Sequence, residues 1–155
     1  MARAWRICKR VHAATAFDGE ATRRVGGRWT SSGVVAVYAS EHLSLAILEV
    51  LVHLERPQAI AAFVAFEVTI PDDLIDAVDA RKLPKEWRDS PAPLSAKLIG
   101  DRWASELRSP VLRVPSAVVP QEHNLVLNPL HAKFKRLSIG KSQALDADSR
   151  VFAKR

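Results

Sequence analysis

Apolar residues recur in this chain in three distinct rhythms, and each rhythm predicts an element. Trp5 to Lys9 alternates, with Arg6 and Cys8 on one side and Trp5 and Ile7 on the other, as a strand requires. Val34 to Ala39 and Ile60 to Ile70 are short apolar runs rich in β-branched residues. The first is preceded by the turn residues Thr30 to Gly33 and the second is closed by Pro71, so both read as strands. Between them, Leu43, Ala46, Ile47, Val50, Leu51 and Leu54 recur at helical spacing. Leu45, Leu48 and Val52 carry apolar character around the cylinder, which predicts a helix buried on most sides. Ser40 is its expected N-cap, and Pro57 ends it by restricting Arg56.

The remainder is more broken. Residues 11–27 read as a long, partly ordered loop, and 72–83 as short helical or strand fragments. Leu94 to Leu107 predicts a second helix with Gly100 as its weak point, closed by Pro110. Val111 to Val119 predicts a bent strand or a strand pair interrupted at Pro115 and Ser116. Asn124 to Leu127 predicts another strand, and His131 to Arg136 a helical turn. A last strand starts near Leu137, and a basic, mobile tail follows. Six to eight short strands and two substantial helices, without regular alternation, make the fold class α+β.

Length and composition narrow the choice. A chain of 155 residues suits one domain with its own core. The expected domain is therefore residues 1–155, with the part after about 140 unassigned. No apolar run is long enough to span a membrane, and the N-terminal residues lack the apolar core of a signal peptide, so the expected location is the cytoplasm. Cys8 is the only cysteine, which excludes an internal disulfide, and the five histidines show no zinc-protease spacing. No metal is expected. The formal charge of +6 suggests an anionic partner or simple solubility. Seven of the cations lie within residues 1–28 against Asp18 and Glu20 alone, while residues 57–80 hold acids and no Lys or Arg. Little aromatic residue is interleaved with that basic stretch, which weighs against a surface for single-stranded nucleic acid.

Chemistry concentrates between Gly26 and Leu54. Glu49 is the one acid on the body of an apolar helix, and a carboxylate there is costly unless something answers it. It faces either solvent, a structural salt bridge or a pocket. Arg28 follows two glycines that allow a ligand close approach, and its guanidinium there suits a phosphate or pyrophosphate. It also reads as an ordinary arginine beside a turn. Arg6 on the neighbouring strand offers a second grip, and Tyr38, the only tyrosine, a ring on which a base can stack. Ser116 means little alone. His53, four residues after Glu49, reads either as an orienting partner for it or as a core histidine.

Taken together, the blocks WRI (5–7), GGRW (26–29), VYAS (37–40), LAILEVLVHL (45–54) and VPSAVVPQEHNLVLNP (114–129) resemble the RES domain family in order and spacing. The extreme C-terminus does not share in the likeness. The resemblance implies an ADP-ribosyltransferase-like α+β domain with a split antiparallel sheet and a central cleft. It implies the toxin half of a bacterial toxin–antitoxin pair, acting on NAD as substrate. Arg28, Glu49 and Ser116 would be the family's named trio, with Arg6 and Tyr38 as further pocket residues. Cleavage of the nicotinamide–ribose bond, by water or phosphate, is the activity so implied. Transfer of ADP-ribose to a protein is the alternative, and a basic nucleic-acid-binding module a more distant one. The implied partner is a helix-turn-helix, Xre-like antitoxin that blocks the cleft, with DNA reached only through it.

Overall fold

Strand β1 (Ala2–Lys9) organises the sheet, and its two edges are treated differently. In the computed structural model, which describes residues 1–153, β1 pairs antiparallel along its whole length with β3 (Phe63–Ile70). On its other edge it meets β2 (Val37–Ser40) at a single pair, Trp5 with Ser40. Strand β2 then pairs with β6 (His123–Leu127), β6 with β5 (Val111–Pro115), and β5 with the short parallel strand β4 (Ile75–Ala77). Strands β7 (Ser138–Ile139) and β8 (Gln143–Ala144) close the far edge against β3. The sheet is thus antiparallel apart from β4, which fits the expected α+β class, and it is split between β1 and β2.

The strand sequences explain their depth. β3 is apolar on both sides because both of its faces are covered. Phe63 and Ala65 pack with Ile7, Ala46 and Ile60, and Val64 and Phe66 pack with Cys8, Ala16 and Phe17. Along β5 and β6, Val111, Leu125 and Leu127 enter one core, while Leu112, Val114 and Val126 enter another with Trp29, Ala96 and Trp103. Helix α3 (Leu94–Ser105) supplies Ala96 and Trp103 to that second core. Gly100 is not a weak point there. A methyl at Gly100 would stand 1.8 Å from the Trp29 carbonyl oxygen, so glycine lets α3 lie directly on the turn that carries Arg28.

Several expectations are corrected. The stretch 11–27 is ordered, with a 3-10 segment (Arg10–Thr15) and the short helix α1 (Glu20–Val25). Helix α2 runs from Leu43 to Leu51 and buries only Leu45 and Ala46, while Leu48 and Val52 are exposed. Ser40 belongs to β2 and caps nothing. His42 precedes the helix without a side-chain cap, because the Ser40 hydroxyl donates to Asn124 instead. The tail through residue 153 returns to the body, and Leu145 and Phe152 pack against the Ile7 and Phe63 cluster. The last two residues of that tail lie outside the described ones.

Candidate active site

The split between β1 and β2 opens a cleft, and Glu49 sits at its centre. Two cavities meet there, of about 350 and 690 Å³. Both are bounded by Tyr38, Glu49, His53 and Asn124. Their sizes fall in the range of small-molecule sites. The smaller is walled by Trp5, Arg6, Ala46 and Phe63, and the larger by Arg28, Arg88 and Lys97.

Helix α2 delivers Glu49 to the cleft, and the ends of two strands, β5 and β6, hold it there. Its Oε1 accepts from the Ser116 hydroxyl at 2.6 Å and from the Asn124 amide Nδ2 at 2.6 Å. Among the described residues Oε2 accepts no hydrogen bond, so one oxygen is fixed and the other remains for a ligand. Ser116 is fully buried just beyond β5. Its hydroxyl also accepts the backbone N–H groups of Val118 and Val119, each at 3.0 Å. A serine hydroxyl has one donor and two acceptor positions, so Ser116 is saturated. Its bonds thus run to Glu49 and to the backbone just after β5.

Arg6 fills the place where the β1–β2 ladder is missing. Its Nη1 donates to the Tyr38 carbonyl at 3.3 Å and its Nε to the Ala16 carbonyl at 3.2 Å. Burial lowers its pKa, against the opposing charges of Cys8 and Asp18. No carboxylate lies within ion-pair distance of Arg6 among the described residues. A partly buried guanidinium held by carbonyls alone is suited to an incoming anion.

Arg28 follows the same plan. Its Nη1 donates to the carbonyls of Trp87 and Asp89, at 2.9 and 2.8 Å. Its Nε and Nη2 have no protein acceptor among the described residues. Burial lowers its pKa, and the charges of Glu49 and Asp89 oppose that shift. The turn that presents it is built tightly. The Tyr38 hydroxyl accepts from the Trp29 N–H at 3.0 Å and shares a hydrogen bond with Thr30 Oγ1 at 2.9 Å. A methyl on Gly27 would stand 2.6 Å from Tyr38 Cζ and Oη, and Lys97 Nζ donates to the Gly27 carbonyl at 2.8 Å. Burial pushes the Tyr38 phenol up to about 12. Its hydroxyl is occupied by the turn, so only the ring is left to face a ligand.

Sequence reasoning missed Asn124, Arg88 and Lys97. Asn124 had a readable signal: it is a polar residue opening an apolar strand, inside the same block as Ser116. Arg88 and Lys97 had none. Arg88 reaches the cleft because its Nε donates to the Ala117 carbonyl at 2.7 Å, from a loop anchored by Trp87 stacked on Trp29 at 5.7 Å. His53 is neither a core histidine nor a partner of Glu49; it is exposed, and its side chain makes no hydrogen bond among the described residues. Cys8 is buried and its thiol is pushed up by desolvation, as suits a small core residue. No group of three or more potential metal-ligating side chains occurs among the described residues, and no helix there is long and apolar enough to cross a membrane.

These features define an α+β domain whose cleft sets a clamped carboxylate between guanidinium groups. The chain belongs to the RES domain family, whose model matches residues 3–148. It is 37% identical over 131 residues to a protein of Yersinia enterocolitica named Toxin Res, covering 84% of this chain and 86% of that one. It is 33% identical over 155 residues to the Prs ADP-ribosylating toxin of a Sphingobium species, covering 97% and 96%. Its fold matches a chain in the crystal structure of the M. tuberculosis MbcT–MbcA toxin–antitoxin complex, with a TM-score of 0.77 at 18% identity, over 93% of this chain and 84% of that one.

Proposed function

We propose that this protein is the toxin of a toxin–antitoxin pair and that it consumes NAD by breaking the nicotinamide–ribose bond. One observation carries the reading: Glu49 is clamped through Oε1 while Oε2 stays without a protein partner, between cavities that each hold a guanidinium. Departure of nicotinamide leaves positive charge on the ribose, as in glycoside hydrolysis. A carboxylate held beside that sugar stabilises the cation and grips a ribose hydroxyl. Arg28 and Arg6 neutralise the pyrophosphate, and the Tyr38 ring packs against the nicotinamide. Nicotinamide leaves neutral, so its departure needs no general acid. Water then adds to the anomeric carbon and releases a proton to solvent, or phosphate adds in its place.

A second reading has one specific support, the name of the Sphingobium relative. In it the acceptor is a nucleophilic side chain of a protein target, and the same cleft performs the first half of the reaction. By family membership the partner is a helix-turn-helix antitoxin of the Xre type that blocks the cleft. The setting is the cytoplasm, where NAD and such a partner are available.

The deciding experiment is chromatography of NAD incubated with the antitoxin-free chain, with and without phosphate, beside Glu49→Gln. Free nicotinamide from the wild type, reduced about 10²–10³-fold in the variant, is the expected result. Dependence on phosphate assigns the acceptor. Intact NAD with a folded chain, but label transferred from NAD to a lysate protein, selects the second reading.

A further inference from the structure

Ser40 is the one residue of β2 that still pairs with β1, and it is also hydrogen-bonded to the group that holds Glu49. It is buried, and its hydroxyl donates to Asn124 Oδ1 at 2.7 Å. The two atoms of an amide head are nearly the same size, and either fits the same space. The Glu49 carboxylate, which can only accept, fixes which atom faces it, and the Ser40 hydroxyl anchors the other. With Oδ1 occupied by that hydroxyl, Nδ2 is turned to Glu49 Oε1, 2.6 Å away. A flipped amide would set a carbonyl oxygen against the carboxylate.

We propose that Ser40 is a positioning residue that acts through Asn124: its hydroxyl anchors Oδ1 and so holds the amide in place with Nδ2 on Glu49. The inference rests on the proposed role of Glu49 for its kinetic consequence, and on geometry alone for the orientation itself. It gives the single β1–β2 contact a purpose. The place where the split sheet closes is the place from which the carboxylate at the split is oriented. The backbone registers agree, since Ser40 lies opposite Asn124 in the β2–β6 ladder and opposite Trp5 in β1. Directly opposed side chains in a ladder are close enough for this contact without any reach.

The charged and titratable groups that bound the cleft with Glu49 are Arg6 on β1, Arg28 before β2, Tyr38 on β2, His53 after α2, Arg88 in the following loop and Lys97 on α3. Ser40→Ala changes none of them. The test is therefore solvent exchange of the Asn124 side-chain amide protons by NMR in the wild type and in Ser40→Ala, with Asn124→Ala assigning the signal. Kinetics on NAD for Ser40→Ala, Asn124→Ala and the double variant go beside it. Exchange is expected to be about tenfold faster in Ser40→Ala. Loss of one oriented hydrogen bond to a charged group is expected to lower kcat about tenfold with KM little changed. In the Asn124→Ala background the Ser40→Ala change is expected to have no further effect. Unchanged exchange, or independent effects in the double variant, overturns the proposal. If the wild type leaves NAD intact while exchange accelerates in Ser40→Ala, the NAD reading falls and the positioning role stands.

Discussion

Ser116 and Glu49, 67 residues apart, meet across a hydrogen bond of 2.6 Å in which the serine is the donor. The serine is buried with every bonding position filled, and the glutamate keeps one oxygen for a ligand. These two residues thus differ in what they leave open: Ser116 has no free bonding position, and one Glu49 oxygen has no protein partner among the described residues.

Ser116→Ala should cost both stability and activity without abolishing either. It removes a donor to Glu49 and leaves the N–H groups of Val118 and Val119 without their acceptor. The expected destabilisation is about 1–3 kcal/mol by urea unfolding. Turnover of NAD should fall but persist; complete loss from a folded variant would mean that Ser116 reacts directly.

Arg28→Ala should weaken ligand binding more than it slows chemistry. The guanidinium holds the Trp87–Asp89 segment with one nitrogen and leaves two for an anion. Lysine cannot do both, since it presents a single charged nitrogen. Calorimetric binding of NAD in a Glu49→Gln background should therefore weaken about tenfold or more in either Arg28→Ala or Arg28→Lys. Equal affinity for all three chains would remove Arg28 from the pyrophosphate site.

Tyr38 can be followed alone, because it is the only tyrosine. Ultraviolet difference absorbance of the folded protein should show phenolate forming at about 12, against about 10 after unfolding. The native state keeps the proton where the unfolded state has lost it. Stability that is complete below the unfolded value should therefore fall through the window between about pH 10 and 12, by on the order of 3 kcal/mol from this group. Titration of the folded chain at the unfolded value would show that the hydroxyl is not enclosed by the Gly27–Thr30 turn.

Gly100→Ala should be more damaging than a glycine-to-alanine change in a helix ordinarily is. Intrinsic propensity favours alanine by about 1 kcal/mol. Here the new methyl meets the Trp29 carbonyl at 1.8 Å, and the backbone cannot give way without moving the turn that bears Arg28. A net loss of about 3 kcal/mol is expected by thermal or urea unfolding. A stabilised variant would contradict the close approach of α3 to that turn.

Legibility differed by residue and for physical reasons. The strand at Trp5–Lys9 and the α2 region were readable because their apolar spacing is periodic. Leu48 and Val52 misled, since apolar residues on a helix imply burial only when something covers them, and here both stay exposed, Val52 at the rim of the cleft. Ser40 misled in the opposite way. A serine before a helical pattern suggests a cap, but its hydroxyl had a better partner in Asn124, 84 residues away.

The amino-acid sequence by itself determined the elements, the basic N-terminal region and a short set of polar residues, Arg6, Arg28, Tyr38, Glu49 and Ser116, in blocks that resemble one family. Those properties are local, carried by side-chain periodicity and by neighbours along the chain. Tertiary structure alone decided which of those residues are saturated by protein partners and which keep free bonding positions at the cleft. The split between β1 and β2 makes the cleft, and contacts across tens of residues bring Ser116 and Asn124 to Glu49 and Ser40 to Asn124. Saturation of a hydroxyl depends on partners brought from elsewhere in the chain, and no local pattern encodes it.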